Sequence, residues 1–294
     1  MQTVSVGVCA HNEERNIRQS LSSISSQSLD GDFRLGEILV VSSGSTDLTD
    51  AIVKDFILKD PRVRLMVQEM REGKSSAVNL FMKEAKGDVL VLVNADNQLT
   101  DMALSRLLAP LSNEKVGIVG GHPVPVNTDK TLVGFAVRML WDMHHRLSLV
   151  SPKTGELIGF RNLGVRIPPG TNTDEDWIRM EVERRGYVTA YAPDAVVLNR
   201  GPENIREFMI QRTRVDIGEK YMKKRYGFTV PTWQVRSLIP AISGFLRDNR
   251  RHVPKVLGAV GLEFMARIYA TIYVSMNKPD QYVWKVLDST KKLR

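Results

Sequence analysis

Cysteine and histidine, which hold many small or metal-dependent folds together, are scarce in this chain. The one cysteine, Cys9, can form no internal disulfide, and such a composition fits a reducing compartment. Cys9 lies within an apolar run, so we expect it to be a small buried residue. Among the five histidines only His144 and His145 are close in sequence, and adjacent helical side chains point about 100° apart. A disulfide-stapled fold and a Cys/His zinc site are therefore not expected.

Glycine is missing from one segment and basic residues are missing from another, and each absence argues against a class of protein. Residues 10–16 contain no glycine, whereas a nucleotidyltransferase would need a glycine-rich phosphate loop after its first strand. Residues 1–5 have no basic segment leading into a long apolar run, so we expect no signal peptide and a cytoplasmic protein. We also find no nucleic-acid-binding motif, which argues against a nucleic-acid partner.

The chain has 294 residues, 43% of them hydrophobic and 25% charged, which suits one large globular domain or two modest ones. Its net charge of +8 is unevenly distributed. Residues 201–294 contain 18 Lys and Arg against 8 Asp and Glu, whereas residues 1–200 contain 23 against 25. We therefore expect a near-neutral body and a basic C-terminal region. Such a region would attract phosphates or the anionic cytoplasmic face of a membrane, as in a peripheral membrane protein.

Apolar runs of strand length alternate with helical patterns through the first half of the chain. Each run is continuous, as in a strand that is buried on both faces of a parallel sheet. The alternation predicts βαβ units and an α/β fold with a mostly parallel sheet. The predicted strands are 4–10, 37–42, 88–93 and 116–120, and the predicted helices are 13–26, 47–58, 74–86 and 129–149.

The second half is predicted to end in helices. Its segment 256–276 is long enough to span a membrane, but Glu263 and Arg267 would each cost about 2.5–3.5 kcal/mol at the bilayer centre. We therefore expect this helix to pack against protein. The predicted elements are strands 156–160 and 187–192 and helices 174–185, 203–224, 234–248 and 253–276.

Polar and charged residues follow several predicted strands, where the carboxyl ends of a parallel sheet form a ligand-binding crevice. Residues 94–97 come directly after a buried strand, and a carboxylate there can ligate a divalent cation that bridges a diphosphate. Arg71 and Lys74 flank the start of a helix, where cations suit a nucleotide diphosphate. Taken singly, each feature is equally explained by a turn, a helix cap or a solvated loop.

Several motifs follow one another in a fixed order along the chain. They are His11-Asn-Glu-Glu, Ser42-Ser-Gly-Ser-Thr-Asp, Arg71-Glu-Gly-Lys-Ser-Ser-Ala-Val-Asn, Asn94-Ala-Asp, Thr173-Asp-Glu-Asp-Trp and Gln211-Arg-Thr-Arg-Val. This ordered set resembles the family 2 glycosyltransferases of the GT-A fold, and its last motif looks like the Gln-x-x-Arg-Trp motif of the branch that includes cellulose and hyaluronan synthases. The resemblance covers about residues 3–226 and implies a Rossmann-like, mostly parallel sheet flanked by helices, with a helical C-terminal extension.

The resemblance implies a role for each matching residue. Asp96, the second acid of the family's Asp-x-Asp motif, would hold Mn²⁺ or Mg²⁺ on the diphosphate of a UDP- or GDP-sugar. Gln211 and Arg214 would approach the diphosphate or the channel of a sugar or lipid-linked acceptor. The nucleotide of the donor would be bound by Asn12, Glu13, Ser43, Asp47, Arg71, Lys74 and Asn94.

The family's catalytic base is a carboxylate in the segment that matches residues 173–177. By the family spacing to Gly186, Glu175 falls on the base position and Asp174 on the acid before it. Asp176 would match if one residue were deleted, so it is the second candidate. The base would remove the proton of the acceptor hydroxyl as that hydroxyl attacks the anomeric carbon. Ordinary helix capping by acids is the alternative explanation.

The sequence departs from the family pattern at several positions. Asn94 replaces the first acid of the Asp-x-Asp motif, and Ser42 and Ser43 replace an acidic pair, which puts a uracil preference in doubt. Val215 replaces the Trp of the last motif, which argues against processive polymer synthesis.

Glu156 and Arg161 lie where the family builds its acceptor-binding loop, so an acceptor role or a buried ion pair would explain them. We expect residues 1–228 to form the catalytic domain, with a nucleotide-binding half at 1–125 and an acceptor and base half at 126–228. Residues 229–294 would form the basic helical region. The sequence thus predicts an inverting, metal-assisted glycosyltransferase of glycan biosynthesis. A non-catalytic nucleotide-sugar-binding or scaffold subunit is the alternative.

Overall fold

The computed structural model describes residues 1–228, 235–278 and 287–291. Within them eight strands form one sheet in the order β3-β2-β1-β4-β7-β6-β8-β5. Only β7 and β5 run antiparallel to their neighbours, so the mostly parallel α/β sheet predicted from the sequence is confirmed. The strands are β1 (Gln2–Ala10), β2 (Phe33–Ser43), β3 (Val63–Gln68), β4 (Val89–Asn94), β5 (Gln98–Leu99), β6 (Val116–Pro125), β7 (Leu157–Arg161) and β8 (Val188–Asn199).

Nine α-helices accompany the sheet in the described part of the chain. The sequence pattern did not predict α4, β3 or β5. β3 lies at the edge of the sheet and its run from Val63 includes the half-buried Arg64, so it lacks the continuous apolar character of the inner strands. The helices are α1 (Ile17–Ser25), α2 (Thr49–Ile57), α3 (Lys74–Glu84), α4 (Ala103–Leu108), α5 (Leu132–Val150), α6 (Asp174–Arg184), α7 (Ile205–Tyr226), α8 (Val235–Asp248) and α9 (Val253–Ser275).

Both faces of the sheet are covered, which explains the continuous apolar runs of its strands. Helices α1, α2 and α4 pack on one face, where Val91 of β4 joins Leu21 of α1 in a single core. Helices α3 and α6 pack on the other face, where Leu92 of β4 joins Phe81 of α3 and Ile178 of α6. Successive residues of β4 therefore point into opposite cores, and every residue from Val89 to Val93 is buried.

The carboxyl ends of β1, β2 and β4 meet at one edge of the sheet. Cys9 of β1 pairs with Val41 of β2 on one side and with Asn94 of β4 on the other. The loop after β2 closely approaches the segment before α3. A Cβ on Gly44 (φ +59°) would lie 2.7 Å from the backbone nitrogen of Arg71, so glycine is required there. The polar motifs that follow these strands are thereby brought together.

The C-terminal helices pack beside the sheet rather than on it. Phe245 of α8 and Leu262 of α9 share a separate apolar core with Phe135 of α5. Tyr273 of α9 packs with Tyr221 of α7. One helix of the described residues, Arg250–Ser275, is long and apolar enough to cross a membrane by length and composition. Its inner face nevertheless packs against protein, as the sequence predicted.

The domain boundary predicted between residues 228 and 229 falls where the first described segment ends. Residues 229–234 lie outside the described residues, as does the first residue of the helix predicted at 234–248. The division of the chain into 1–228 and 229–294 therefore stays a prediction.

Candidate active site

A cavity of about 360 Å³ opens at the carboxyl edge of the sheet. Its walls come from the ends of β1, β2 and β4, the first turns of α3 and α6, and the middle of α7. Most of the site residues predicted from the sequence converge here, although they come from segments far apart in the chain. The predicted residues that line the cavity are Glu13, Ser43, Arg71, Lys74, Asn94, Asp96, Glu156, Glu175, Asp176, Gln211 and Arg214.

Asn12 and Asp47, predicted to bind the nucleotide, instead organise the loops beside the cavity. The side-chain oxygen of Asn12 accepts a hydrogen bond from the backbone of Thr46 at 2.8 Å. Asp47 accepts from the backbone nitrogens of Glu14 (3.1 Å) and Thr49 (3.0 Å). These bonds tie the loop after β1 to the loop after β2, so both residues position the cavity wall without lining it.

Arg161 lies at the opposite edge of the sheet, which corrects the acceptor role expected for it. Because β7 is antiparallel to β4, Arg161 pairs with Val89 at the start of β4. Its guanidinium donates to the carbonyl oxygens of Leu111 (2.7 Å) and Val116 (2.9 Å). Arg161 therefore holds the backbone together far from the cavity, whereas Glu156, just before β7, lines it.

Lys74 joins the start of α3 to the acids at the start of α6. Its ammonium lies 2.5 Å from Glu175 Oε1 and 3.1 Å from Asp174 Oδ2. Burial alone would raise the pKa of Glu175, but Lys74 brings that pKa below its ordinary value. Burial and repulsion from Glu175 raise the pKa of Asp174 to about 7. Asp174 is only 1% exposed and lies behind the cavity wall, so Glu175 is the ionised carboxylate presented to a ligand.

Asp176, the second candidate base, has a different environment. It lines the cavity one residue further along α6. Burial, together with the nearby charge of Glu219, raises the pKa of Asp176 to about 6. The two neighbouring acids are therefore shifted in opposite directions, and their protonation states differ in weakly acidic solution.

Several acidic side chains lie close together at the end of β4. Burial and the charge of Glu13 raise the pKa of Asp96 to about 6, and burial with the charge of Asp96 raises that of Glu156. The side-chain amide of Asn94 donates a hydrogen bond to Glu156. An aspartate at position 94 would instead repel Glu156, which gives a physical reason for this departure from the family's Asp-x-Asp motif.

The short C-terminal turn at residues 287–291 also lines the cavity, which the sequence analysis missed. The Lys291 ammonium is ion-paired with Glu13 and donates to the carbonyl of His11 at 3.0 Å. Ser289 donates to Glu207 at the start of α7 and so anchors the turn. No pattern in the sequence could have indicated a contact between residues 278 positions apart.

Several buried polar atoms around the cavity have no hydrogen-bond partner within the described residues. Buried polar atoms are normally satisfied, so unsatisfied ones in residues that line a cavity suggest that polar groups of a ligand complete their hydrogen bonds. The atoms are Ser43 Oγ, Asn97 Oδ1, Thr154 Oγ1, Asn172 Oδ1 and Thr173 Oγ1.

The donor set at the end of β4 fits a partial metal site. Across the described residues, no three His, Cys, Asp or Glu side chains are grouped closely enough to hold a metal ion on their own. Mg²⁺, however, is commonly held by one or two carboxylates while substrate phosphates and water complete its shell. The Asp96 carboxylate and the unsatisfied oxygen of Asn97 match that arrangement.

Two solved structures resemble this fold. The mannosyltransferase PcManGT from Pyrobaculum calidifontis, solved with GDP-Man and Mn²⁺, has a TM-score of 0.64 and 20% identity, covering 94% of this chain and 88% of that one. Glucosyl-3-phosphoglycerate synthase from Mycobacterium tuberculosis, solved with Mn²⁺, UDP and phosphoglyceric acid, has a TM-score of 0.55 and 20% identity, covering 78% of this chain and 80% of that one. The similarity confirms the GT-A fold.

Sequence comparison gives the same assignment. A probable glycosyltransferase from Bacillus subtilis, YdaM, is 29% identical in an alignment of 246 positions that covers 76% of this chain and 56% of the relative. An N-acetylglucosaminyltransferase from Rhizobium meliloti is 22% identical over 73% of this chain and 55% of its own length. The chain thus spans little more than half the length of these curated relatives. The family model of Glycosyl transferase family 2 matches residues 5–174, more than half of the chain, and the chain therefore belongs to this family.

Proposed function

We propose that the chain is an inverting glycosyltransferase that moves a sugar from a nucleotide-diphosphate sugar to an acceptor hydroxyl. The observation that carries the proposal is the cavity at the carboxyl edge of the sheet. It combines an ionised carboxylate at the start of α6, cations from α3 and α7, and an acidic end of β4. A nucleotide-diphosphate sugar would use all three features of the cavity, namely the carboxylate, the cations and the acidic end of β4.

The donor would bind across the ends of β1, β2 and β4. Glu13 and Ser43 would contact the base and ribose, while Arg71 and Arg214 would neutralise the diphosphate. Burial lowers the pKa of Arg214 to about 10, so its side chain still carries a positive charge at neutral pH. The similar mannosyltransferase was solved with GDP-Man and the similar synthase with UDP, so both nucleotides are candidates for this chain.

Asp96 would hold Mn²⁺ or Mg²⁺, with Asn97 beside it. A divalent ion bound there supplies positive charge for the departing diphosphate. The raised pKa of Asp96 supports the assignment, because a buried carboxyl repelled by Glu13 is relieved by a nearby cation.

Glu175 would act as the general base. The acceptor oxygen forms a bond to the anomeric carbon while the bond from that carbon to the diphosphate breaks, and Glu175 takes the hydroxyl proton. Attack opposite the leaving group inverts the anomeric configuration. Lys74 would hold Glu175 in place and keep it ionised. Asp176 is the second candidate, because it also lines the cavity.

The acceptor would be a sugar or a lipid-linked hydroxyl that enters beside Trp141 and Gln211, which both line the cavity. The alternative, a non-catalytic scaffold subunit, was suggested by Asn94 and the Ser42-Ser43 pair, which replace acids of the family motifs. Since Asn94 is explained by its bond to Glu156, that substitution is compatible with a catalytic cavity. A cytoplasmic location stays a prediction.

Thermal-shift titration with UDP, GDP, CDP and TDP, each with and without Mn²⁺, tests the donor site. A ligand at about 100 times its dissociation constant adds about 2.7 kcal/mol of stability. We expect one nucleotide to stabilise the protein in a metal-dependent way, and the matching sugar nucleotide to support transfer. Binding without turnover on any acceptor would favour the scaffold alternative.

A further inference from the structure

The outward face of α9 is uncharged from one end to the other. Single exposed apolar residues are common in proteins, but a continuous exposed apolar surface marks an interaction site. Leu257 is 67% exposed and Phe264 is 63% exposed. The exposed residues of α9, called here the apolar face, are Val253, Pro254, Leu257, Val260, Gly261, Phe264, Met265, Ile268, Tyr269, Thr271, Ile272 and Ser275.

The inner face of α9 is fixed to the protein along most of its length. Val256 and Leu262 pack in the core built on α5, and Tyr273 packs on α7. Between them Glu263 accepts hydrogen bonds from Arg212 of α7 at 2.8 and 2.9 Å. A helix held in this way offers only its outer face to a membrane. It can therefore lie on a bilayer but cannot cross it as an isolated span.

Basic residues flank the apolar face. Arg250 and Arg251 are exposed in the turn before α9, and Lys278 is exposed just after it. A shallow groove of about 450 Å³ on the apolar face is lined by Phe264, Ile268, Thr271 and Ile272, with Lys220 and the Glu263-paired Arg267 at its side. A surface that is apolar in the middle and basic at its borders matches the acyl chains and phosphates of an anionic phospholipid layer.

We propose that α9 docks on the surface of an anionic phospholipid bilayer. The apolar face would lie at the boundary between headgroups and acyl chains, and Arg250 and Arg251 would contact the phosphates. Exposed Ile242 and Leu246 of α8 would extend the contact on the other side of the basic turn. This surface lies outside the residues of the cavity, so the inference does not rest on the proposed transferase activity.

Sedimentation with vesicles tests the docking surface in the full chain. We expect binding to vesicles that contain phosphatidylglycerol and much weaker binding to pure phosphatidylcholine. The double substitution Leu257→Ser, Phe264→Ser should reduce sedimentation at least tenfold, because it removes two of the most exposed apolar side chains. Leu48→Ser, Leu58→Ser is the matched control, since these leucines, which flank α2 at its two ends, are 64% and 85% exposed. It should bind vesicles as the unmodified protein does.

The basic turn gives a second, independent variant. Arg250→Gln, Arg251→Gln should weaken binding by about fivefold for each arginine and reduce its dependence on salt. Lys59→Gln, Lys83→Gln is the charge-matched control on exposed positions elsewhere, and it should change little. Unchanged thermal unfolding of each variant shows that the fold is intact.

Three results would overturn the proposal. The first is that the protein does not sediment with anionic vesicles at low salt. The second is that Leu48→Ser, Leu58→Ser reduces sedimentation as much as Leu257→Ser, Phe264→Ser does. The third is that Arg250→Gln, Arg251→Gln leaves vesicle binding unchanged. Light scattering tests whether a second copy of the chain, rather than a membrane, covers the apolar face. A lipid-free dimer that becomes a monomer on Leu257→Ser, Phe264→Ser would assign the apolar face to a second copy of the chain.

Discussion

Two clusters of buried charged side chains differ in how their charges balance. Between α7 and α9, Glu263 accepts from Arg212 and Arg267, each at 2.8 Å. Burial alone would raise the pKa of Glu263, but the two arginines bring it down to about 2. Arg212 also pairs with Asp216 at 3.3 Å, so two arginines meet two acids in this cluster, which joins the C-terminal helix to the body of the molecule.

The cluster around the cavity is not balanced in the same way. Burial and neighbouring acids raise the pKa of Asp96 to about 6, of Asp174 to about 7 and of Asp176 to about 6. Burial is the largest cause of each rise, and the basic residues that line the cavity do not offset it. Burial also raises the pKa of Asp216 in the cluster between α7 and α9 to about 6, but Asp216 lies outside the cavity, whereas Asp96 and Asp176 line it and can meet a ligand. That difference is typical of a functional site.

The largest effect is expected from neutralising the ionised acid of the cavity. Glu175→Gln should lower kcat by about 10²–10⁴-fold, the usual contribution of a general base, because glutamine cannot accept the acceptor's proton. Binding of the nucleotide, measured by calorimetry, should change little. Glu181→Gln, a half-buried position on the same helix that pairs with Arg184 and does not line the cavity, is the control. Full transfer activity in Glu175→Gln would remove this residue from the base role.

The pH dependence of kcat/KM separates the two candidate bases. The base must be ionised, so activity is lost as the pH falls through its pKa. At saturating Mn²⁺, which keeps Asp96 ionised, the acid limb with Glu175 as base lies below the ordinary glutamate value of 4.5, since Lys74 lowers the pKa of Glu175. With Asp176 as base, the limb lies near pH 6. A limb near 6 that disappears in Asp176→Asn would transfer the role to Asp176.

The cluster between α7 and α9 should behave in the opposite way to the cavity. Glu263→Gln removes the carboxylate that Arg212 and Arg267, both partly buried, share, and it should destabilise the fold by about 1–3 kcal/mol in urea unfolding. Activity per folded molecule should stay the same. The folded pKa of Glu263 is lowered, so its stabilising effect is present above about pH 4.5 and is lost as the pH falls toward 2. Equal stability of variant and parent at neutral pH would contradict the contrast between the clusters.

A smaller effect of opposite sign is expected at the end of β4. The folded pKa of Asp96 is raised, so its ionised form reduces stability increasingly as the pH rises from about 4 to about 6. Asp96→Asn removes that penalty and should stabilise the metal-free protein by about 1–3 kcal/mol at neutral pH, given about 1.4 kcal/mol for each pKa unit.

The same variant should lose the stabilisation that Mn²⁺ and a nucleoside diphosphate provide together. Thermal unfolding with and without both ligands measures the two effects in one experiment. An Asp96→Asn protein that is less stable than the parent, yet still responds to Mn²⁺, would show that this carboxylate has a structural role only.

Much of the cavity was predictable from the sequence because its parts follow strand ends. Once β1, β2 and β4 are parallel neighbours, the residues after each strand must meet at one edge, so Glu13, Ser43 and Asp96 converge. The acids at the start of α6 could be assigned only through the resemblance to a family, since helix capping explains the same residues.

Two kinds of information were absent from the local pattern. Strand direction decided the position of Arg161. It lies five residues after Glu156, yet an antiparallel β7 carries it to the far edge of the sheet. Edge elements such as β3 and β5 lack a continuous apolar run, because they are covered on fewer sides. Contacts between distant segments, such as that of residues 287–291 with the cavity, leave no periodic signal.

The turn at residues 287–291 gives the smallest predicted effect. Lys291 lies at the acidic end of the cavity, where burial raises the pKa of both Glu13 and Asp96 and the charge of Lys291 partly opposes that rise. Lys291→Ala should weaken binding of a nucleoside diphosphate with Mn²⁺ by roughly tenfold, the order of one hydrogen bond to a charged group. Lys291→Arg should restore most of it, and Lys255→Ala on α9 is the control. Tighter binding in Lys291→Ala would mean that the turn competes with the donor, because the Lys291–Glu13 ion pair would then have to break before the nucleotide could enter.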